Sequence, residues 1–325
     1  MKLLKSMTSV TNIYNKFSSV GKVLFFASLL LILVVLFKHL FTLKRRSEGF
    51  DNNNLIINNQ NEKYVFKDGI NMYDDFYSKI YDYLVFSNVK NDYEINAIIK
   101  KTHPNPKNSI IVDIGCGTGH HVGALRDKNI NIMGVDISPA MIKAAKTAYP
   151  NCEFQVGDAL NTHLLGFNST THILCLYFTI YFFSSDGKRV FFQNCMDWLI
   201  PGGFLIVHLV DREKFDPILP PGNPLYIVSP QKYAKERITH TKVTFNEFQY
   251  ESDFKLEPEN DVAVFEEKFK FNNGNTRKHE QTLYMENTSE IIDMAQNAGF
   301  IIHAKIDLLK CAYENQFLYI FMKPG

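Results

Sequence analysis

A chain of 325 residues, 46% hydrophobic and 21% charged, has the composition of a folded globular protein, which excludes disorder throughout and a disulfide-stapled miniature domain. The net charge of +1 conceals a polarised distribution: residues 1–46 carry eight cations and no Asp or Glu, leaving 27 cations against 34 anions, a net of −7, over residues 47–325. An acidic body opposes a nucleic-acid partner, whose phosphate backbone is held by clustered Lys and Arg.

Val23 to Phe37 is a run of 15 residues without a charge, and Leu40, Phe41 and Leu43 extend it if Lys38 and His39 turn their polar ends outward. Snorkelling of that kind supplies what the run lacks of the roughly 20 apolar residues needed for a span. Lys44-Arg45-Arg46 stands where the small-residue cleavage site of a signal peptide would follow, so the sequence predicts an uncleaved single-pass anchor meeting membrane lipid through residues 23–43. Four Lys precede the run and four Lys or Arg follow it; the tight clustering of the second group places the domain beyond it on the cytoplasmic side. Residues 1–46 are thus a basic N-terminus and anchor. Residues 47–68, rich in Asn and lacking helical or strand period, read as a linker, and residues 69–325 as the folded domain.

The five cysteines are odd in number, lie 20 or more residues apart and form no C-x-x-C pair, so neither a zinc site nor a disulfide framework is expected. Their apolar or glycine-rich neighbours suit reduced, buried thiols.

From Ile70 to Lys101 apolar residues recur at helical spacing, and His103-Pro104-Asn105-Pro106 stops the pattern, so two helices precede the first strand of the domain. Ser109 to Asp113 is a β-branched run leading into Ile114-Gly115-Cys116-Gly117-Thr118-Gly119 and then a helix. A strand, a glycine turn and a helix start make a pocket for a nucleotide-like ligand, because glycine lets the backbone take unusual dihedrals and approach the ligand closely. A dinucleotide motif would need its third glycine at position 120, where His120 stands. Asn131 to Asp136 reads as a second strand whose terminal acid lies 21 residues after Gly115, at the spacing of a ribose-binding carboxylate. Ser138-Pro139 then opens a helix, and Glu153 to Asp158 is a third strand ending in an acid.

With these motifs, residues 70–325 resemble a class I S-adenosylmethionine-dependent methyltransferase. The resemblance implies an α/β, Rossmann-like fold: a mostly parallel seven-stranded sheet with helices on both faces. It also implies S-adenosyl-L-methionine as cofactor. Asp113 would face the methionine end, Gly115, Gly117 and Gly119 would form the turn beneath it, Asp136 would hold the ribose with Ile137 on the adenine, and Asp158 and the Ala159 amide would meet the adenine edge. Thr171 to Phe178 reads as the fourth strand, with His172 where the family usually has an acid, and Asp197 to His208 resembles the family's helix, Pro-Gly-Gly turn and fifth strand.

Met72 to Asp82 also looks like the Tyr-rich leader of methyltransferases acting on small amines, which implies that Tyr81 closes over the cofactor. The fourth strand lacks an Asn/Asp-Pro-Pro-Tyr loop, and no Pro-Cys pair occurs; both absences oppose methylation of nucleic-acid bases. Between Arg212 and Asn287 a proline-rich stretch precedes alternating segments that predict three or four antiparallel strands, a β-rich insertion over residues 212–287 forming a lid at the pocket mouth. A last helix ended by Gly299 and two closing strands follow.

The expected activity is methyl transfer to a small-molecule amine, hydroxyl or carboxyl compound, with His208 and Tyr181 as candidates for substrate contact. For His208 a core histidine is the competing reading. A protein or RNA methyltransferase, and a catalytically inactive scaffold of the same fold, are the alternatives.

Overall fold

The computed structural model describes residues 62–217, 231 and 234–325, together with residues 18, 21, 22, 25, 28 and 30–35. The chain divides into two units, Met1–Ile57 and Asn58–Gly325.

In the first unit the expected membrane segment, residues 23–43, lies for the most part outside the described residues. Those described within it are helical, and Leu30, Leu31, Ile32, Leu33, Val34 and Val35 are all exposed. Among the described residues no helix is long and apolar enough to cross a membrane.

The second unit is built on a seven-stranded sheet. Its strands are β2 (Ile110–Ile114), β3 (Asn131–Asp136), β4 (Glu153–Val156), β5 (Thr170–Cys175), β6 (Leu199–Val210), β11 (Ile301–Asp307) and β12 (Gln316–Met322), in the order β11-β12-β6-β5-β2-β3-β4. All adjacent pairs from β6 to β4 are parallel, and β12 runs antiparallel to both of its neighbours. Successive side chains of a strand point to opposite faces, so a strand covered on both faces can be apolar throughout. The centres of β2, β5 and β6 bury apolar residues on both faces: Ile111, Leu174 and Ile206 join one buried cluster, while Val112, Ile173, Leu205 and Val207 join the other.

Helices α1 (Tyr77–Val85), α2 (Asn88–Thr102), α3 (His120–Arg126), α4 (Pro139–Ala148), α5 (Ser185–Trp198) and α6 (Thr288–Asn297) complete this layer. Capping fixes their starts. Ser138 accepts the Met141 N–H at the head of α4, next to Pro139, and Asn287 with Glu290 forms a reciprocal box at the head of α6. The leader is broken, with a 3-10 turn at Gly69–Met72 ahead of α1.

A second sheet has five strands in the order β1-β10-β9-β8-β7: β1 (Tyr64–Asp68), β7 (His240–Thr244), β8 (Phe248–Glu257), β9 (Val262–Phe271) and β10 (Thr276–Tyr284). The four strands from the insertion are antiparallel, as their alternation predicts. The linker expectation needs correcting at its end: Tyr64–Asp68 pairs in parallel with Thr276–Glu280. Alternation in so short an edge strand, with three of five residues exposed, is too weak to read from sequence. Phe254, Ala263 and Leu283 of this sheet bury into the same cluster as Val210 and Tyr319 of the main sheet, so the two sheets share one core.

All five cysteines are free, and only Cys152 is not fully buried. Burial pushes Cys116, Cys175 and Cys195 well above the usual thiol range, which leaves them protonated and unreactive.

Candidate active site

The ends of β2, β3 and β4 face two adjoining cavities. The larger, about 700 Å³, is lined by Asp136, Ile137, Asp158 and Ala159. The smaller, about 220 Å³, is lined by Asp113, Tyr177 and His208 and by Phe254 and Leu283 of the second sheet. Tyr73, Tyr81, Gly115, Gly117, Thr179 and Phe182 line both and form the wall between them.

The turn after β2 is held by backbone. Gly115 N–H and Cys116 N–H both donate to the Val135 carbonyl, at 2.8 and 3.0 Å, which ties the turn to β3. Gly115 has φ +71°, and a Cβ there would lie 2.5 Å from the Thr179 side chain. A Cβ on Gly117 would meet Tyr81 at 3.6 Å, so the leader tyrosine packs directly over the turn.

Asp136, at the tip of β3, accepts the Gly117 N–H (2.9 Å) on one oxygen and the Ser138 N–H (2.8 Å) on the other. Burial raises its pKa, and these two bonds act against the rise. Asp158 is exposed and accepts the Leu160 N–H at 2.9 Å, an Asx turn that fixes the rim of the larger cavity. Ile137 is exposed on the same rim, and Ala159 is buried with its carbonyl accepting from Asn194.

Asp113 is 1% exposed and its Oδ2 has no hydrogen-bond partner. Burial pushes its pKa up to about 7; His121 opposes the rise, and Asp136 and Glu94 add to it. A buried carboxylate oxygen without a partner costs several kcal/mol unless a ligand cation or donor meets it, roughly 1–3 for the lost hydrogen bond alone. Asp113 therefore suits a ligand ammonium.

His208 on β6 lines the smaller cavity. Its Nδ1 faces the Tyr177 carbonyl and its Nε2 has no hydrogen-bond partner. Burial, then Lys90, pushes the imidazole down to about 3, so it is neutral at ordinary pH. It can accept a hydrogen bond from a ligand but holds a proton poorly. Both readings of this residue apply at once, since it is a fully buried histidine that also faces a cavity.

Tyr181 needs correcting. It lies in the 3-10 turn Thr179–Phe182, lines neither cavity and is fully buried, with its hydroxyl accepting the Val210 N–H at 2.8 Å. The expected fourth strand ran on to Phe178, whereas β5 ends at Cys175. The rim position given to Tyr181 belongs to Tyr177 instead.

Tyr177 was missed. It has φ +51°, a left-handed backbone costing about 1–2 kcal/mol for a non-glycine residue, and such strain gathers at functional sites. Lys90 Nζ sits 3.5 Å from its ring centroid. Lys90 is bound to Glu94 at 2.6 Å, and Glu94 also lies 3.0 Å from His121 Nε2. Burial acts to raise Glu94, yet Lys90 and His121 outweigh it and leave the carboxyl at about 2. The i, i+4 spacing of Lys90 and Glu94 was a signal in the sequence, but it reads as an ordinary solvent-exposed helix pair.

Residues 111–203, from β2 to the Pro-Gly-Gly turn, match the family model described as a methyltransferase domain. Over that stretch the chain is similar to a methyltransferase domain. Curated relatives match parts of it. A dTDP-4-amino-2,3,4,6-tetradeoxy-D-glucose N,N-dimethyltransferase of Saccharopolyspora spinosa is 30% identical over 103 residues, 31% of this chain and 41% of that protein. A trans-aconitate 2-methyltransferase of Escherichia coli is 40% identical over 53 residues, 16% of this chain and 21% of that protein. The matched stretch thus spans well under half the length of these relatives. Among solved structures, an S-adenosylmethionine-dependent methyltransferase from Clostridium acetobutylicum shares the fold over 77% of this chain and 96% of its own, with a TM-score of 0.57 and 19% identity. The likeness to that structure is one of fold: a Rossmann-like layer, to which a second sheet is added here.

Proposed function

We propose that this protein transfers a methyl group from S-adenosylmethionine to a small-molecule nucleophile. The observation that carries the reading is the division of the strand-end acids between two joined cavities: Asp136 and Asp158 in the larger, Asp113 in the smaller, with Tyr81, Gly115 and Gly117 as the common wall.

The residues fit that cofactor. The partnerless oxygen of Asp113 would hold its ammonium. Asp136, each oxygen of which keeps a lone pair after the Gly117 and Ser138 contacts, would take the ribose hydroxyls. Ile137, Asp158 and Ala159 would hold the adenine, with Tyr81 over Gly117 and Thr179 against Gly115; Gly119 starts α3 at φ +88°. Bound there, the cofactor supplies an activated methyl on a sulfonium, so the protein's task is orientation and exclusion of water more than acid–base work.

The acceptor belongs in the smaller cavity. Its walls, Phe178 and Phe215 from the loops after β5 and β6 and Phe254, Phe265 and Leu283 from the second sheet, favour an apolar body, while the neutral His208 accepts a hydrogen bond from an amine or hydroxyl nucleophile. The sugar N-dimethyltransferase and the trans-aconitate methyltransferase among the relatives support a small-molecule acceptor. The acidic body, −7 over residues 47–325, speaks against RNA.

A membrane tether through residues 23–43, with the domain facing the cytoplasm, is part of this reading. The apolar run and the exposed helical residues Leu30 to Val35 support it. Alkaline extraction of membranes from expressing cells tests it: full-length protein should stay in the pellet and a variant starting at residue 58 should not.

Calorimetry with S-adenosylmethionine tests the activity. Binding by the wild type, weakened on the order of tenfold or more in Asp136→Ala through loss of charge-assisted hydrogen bonds, is expected. Labelled-methyl screening of metabolite extracts then identifies the acceptor. No binding at millimolar cofactor would overturn the reading, and label entering RNA or protein alone would redirect it.

A further inference from the structure

On the inner face of the second sheet a carboxylate interrupts a row of aromatic side chains. Along β9 the inward row runs Ala263, Phe265, Glu267, Phe269, Phe271, and Glu267 is 2% exposed. Its Oε1 accepts two phenols, Tyr77 of the leader at 2.9 Å and Tyr250 of β8 at 2.7 Å. Its Oε2 faces Nδ1 of His279 at 3.4 Å.

The charge state follows from donor arithmetic. The guanidinium of Arg277 can only donate, and its Nε lies 2.6 Å from Nε2 of His279. That nitrogen is therefore the acceptor, the ring's proton sits on Nδ1, and the imidazole is neutral. Glu267 thus takes two phenols on one oxygen and faces the Nδ1–H of His279 with the other. Arg277 in turn is bound to Asp74 at 2.6 Å, so its charge is already matched. Of the lysines on the outer face, Lys278 binds Glu266 and Glu280, and Lys270 binds Glu251. With Glu267 ionised, the partly exposed Asp74 and the buried Arg277, His279 and Glu267 sum to a net charge of −1.

No Lys or Arg among the described residues forms an ion pair with Glu267, and a buried carboxylate held by neutral donors alone is expensive. Its hydrogen bond to Tyr77 brings it to the wall between the two cavities. Tyr77 packs edge-on against Tyr73 and Tyr81, with ring centroids 5.4 and 5.9 Å away, and those two line both cavities. The influence of Glu267 falls off along the cluster: after burial it is the largest contributor raising the Tyr77 hydroxyl, it follows Tyr81 at Tyr73, and it follows Asp82 and Asp136 at Tyr81.

We propose that Glu267, acting through the Tyr73, Tyr77 and Tyr81 cluster, is a specificity-determining residue that makes the wall between the cavities favour a cationic ligand over its neutral counterpart. The inference rests on the methyl-transfer reading, in which the ligand arrives as a sulfonium cation and leaves as a neutral thioether. Selective holding of the cation favours exchange of spent cofactor for fresh.

Calorimetry on the full chain, with S-adenosylmethionine and S-adenosylhomocysteine titrated separately, tests this. In Glu267→Gln the affinity for the cation should fall on the order of tenfold, and that for the thioether by less than about threefold. Asp74→Asn provides an independent arm. It keeps an oxygen for the Phe76 and Tyr77 N–H groups that Asp74 now accepts, and it frees Arg277 to neutralise Glu267, so the cation preference should drop in the same direction. If Glu267→Gln does not fold, Asp74→Asn decides alone. Equal weakening of both ligands would reduce Glu267 to a structural role and overturn the proposal. Wild type that binds neither ligand would overturn the methyl-transfer reading, and this inference with it.

Discussion

Nδ1 of His208 faces the carbonyl of Tyr177, so the strained backbone of the β5–α5 loop decides which nitrogen of the imidazole is left for a ligand. Nδ1–H donates and Nε2 keeps its lone pair toward the smaller cavity. With the imidazole at about 3, no limb of the pH–rate profile between pH 5 and 9 should come from it. His208→Ala should lower kcat by about 10- to 100-fold while the dissociation constant for S-adenosylmethionine stays within about twofold, measured by single-turnover kinetics and calorimetry. The unfolded chain binds a proton at His208 near the ordinary value of 6.5 and the folded chain does not. Its contribution to stability is thus present above that pH and is lost as pH falls toward 3, which urea titration across this window will show.

Asp113 behaves in the opposite sense. Its pKa, raised from 3.8 to about 7, means that the folded protein holds the extra proton, so this group's contribution to stability is lost as pH rises through that window. Cofactor binding needs the ionised form. Affinity for S-adenosylmethionine should climb by up to about tenfold per pH unit from about 5 to 7 and then level off, and Asp113→Asn should flatten the curve.

Gly115→Ala places a Cβ 2.5 Å from Thr179 at a φ of +71°. The left-handed backbone and the overlap together should cost about 3 kcal/mol in chemical denaturation. Thr179→Ala in the same chain should recover part of that loss, giving a coupling above about 0.5 kcal/mol; additive effects would show that the overlap relaxes elsewhere.

Glu94→Gln strands the ammonium of Lys90, which is 1% exposed. The expected loss is about 3–5 kcal/mol at neutral pH. Because Glu94 sits at about 2 when folded, against 4.5 ordinarily, its contribution is present above 4.5 and lost as pH falls toward 2. The gap between wild type and variant should therefore close in acid.

Tyr181→Phe leaves the buried Val210 N–H without its acceptor. Stability should fall by about 1–2 kcal/mol while kcat and cofactor affinity are unchanged; a large kcat effect would restore Tyr181 to the site.

The sequence alone determined the Rossmann-like layer. β2, β3 and α4 carry local signals that need no partner to be read: β-branched runs, glycines where φ turns positive at 115, 117 and 119, and Ser138-Pro139 at a helix start. The strand-end acids are legible for the same reason, since each closes its own strand.

What only tertiary structure decided depends on distant parts of the chain meeting. β1 is a strand because Thr276–Glu280 pairs with it, and Tyr177 rather than Tyr181 faces the cavity because β5 stops three residues before the apolar run does. Lys90 beneath Tyr177, and Glu267 behind Tyr77 at a separation of 190 residues, become visible only when burial has removed water from between them. A carboxylate in a strand reads as solvated until the fold shows that nothing but protein surrounds it, because the cost of burying charge depends on its neighbours in space and not on its place in the chain.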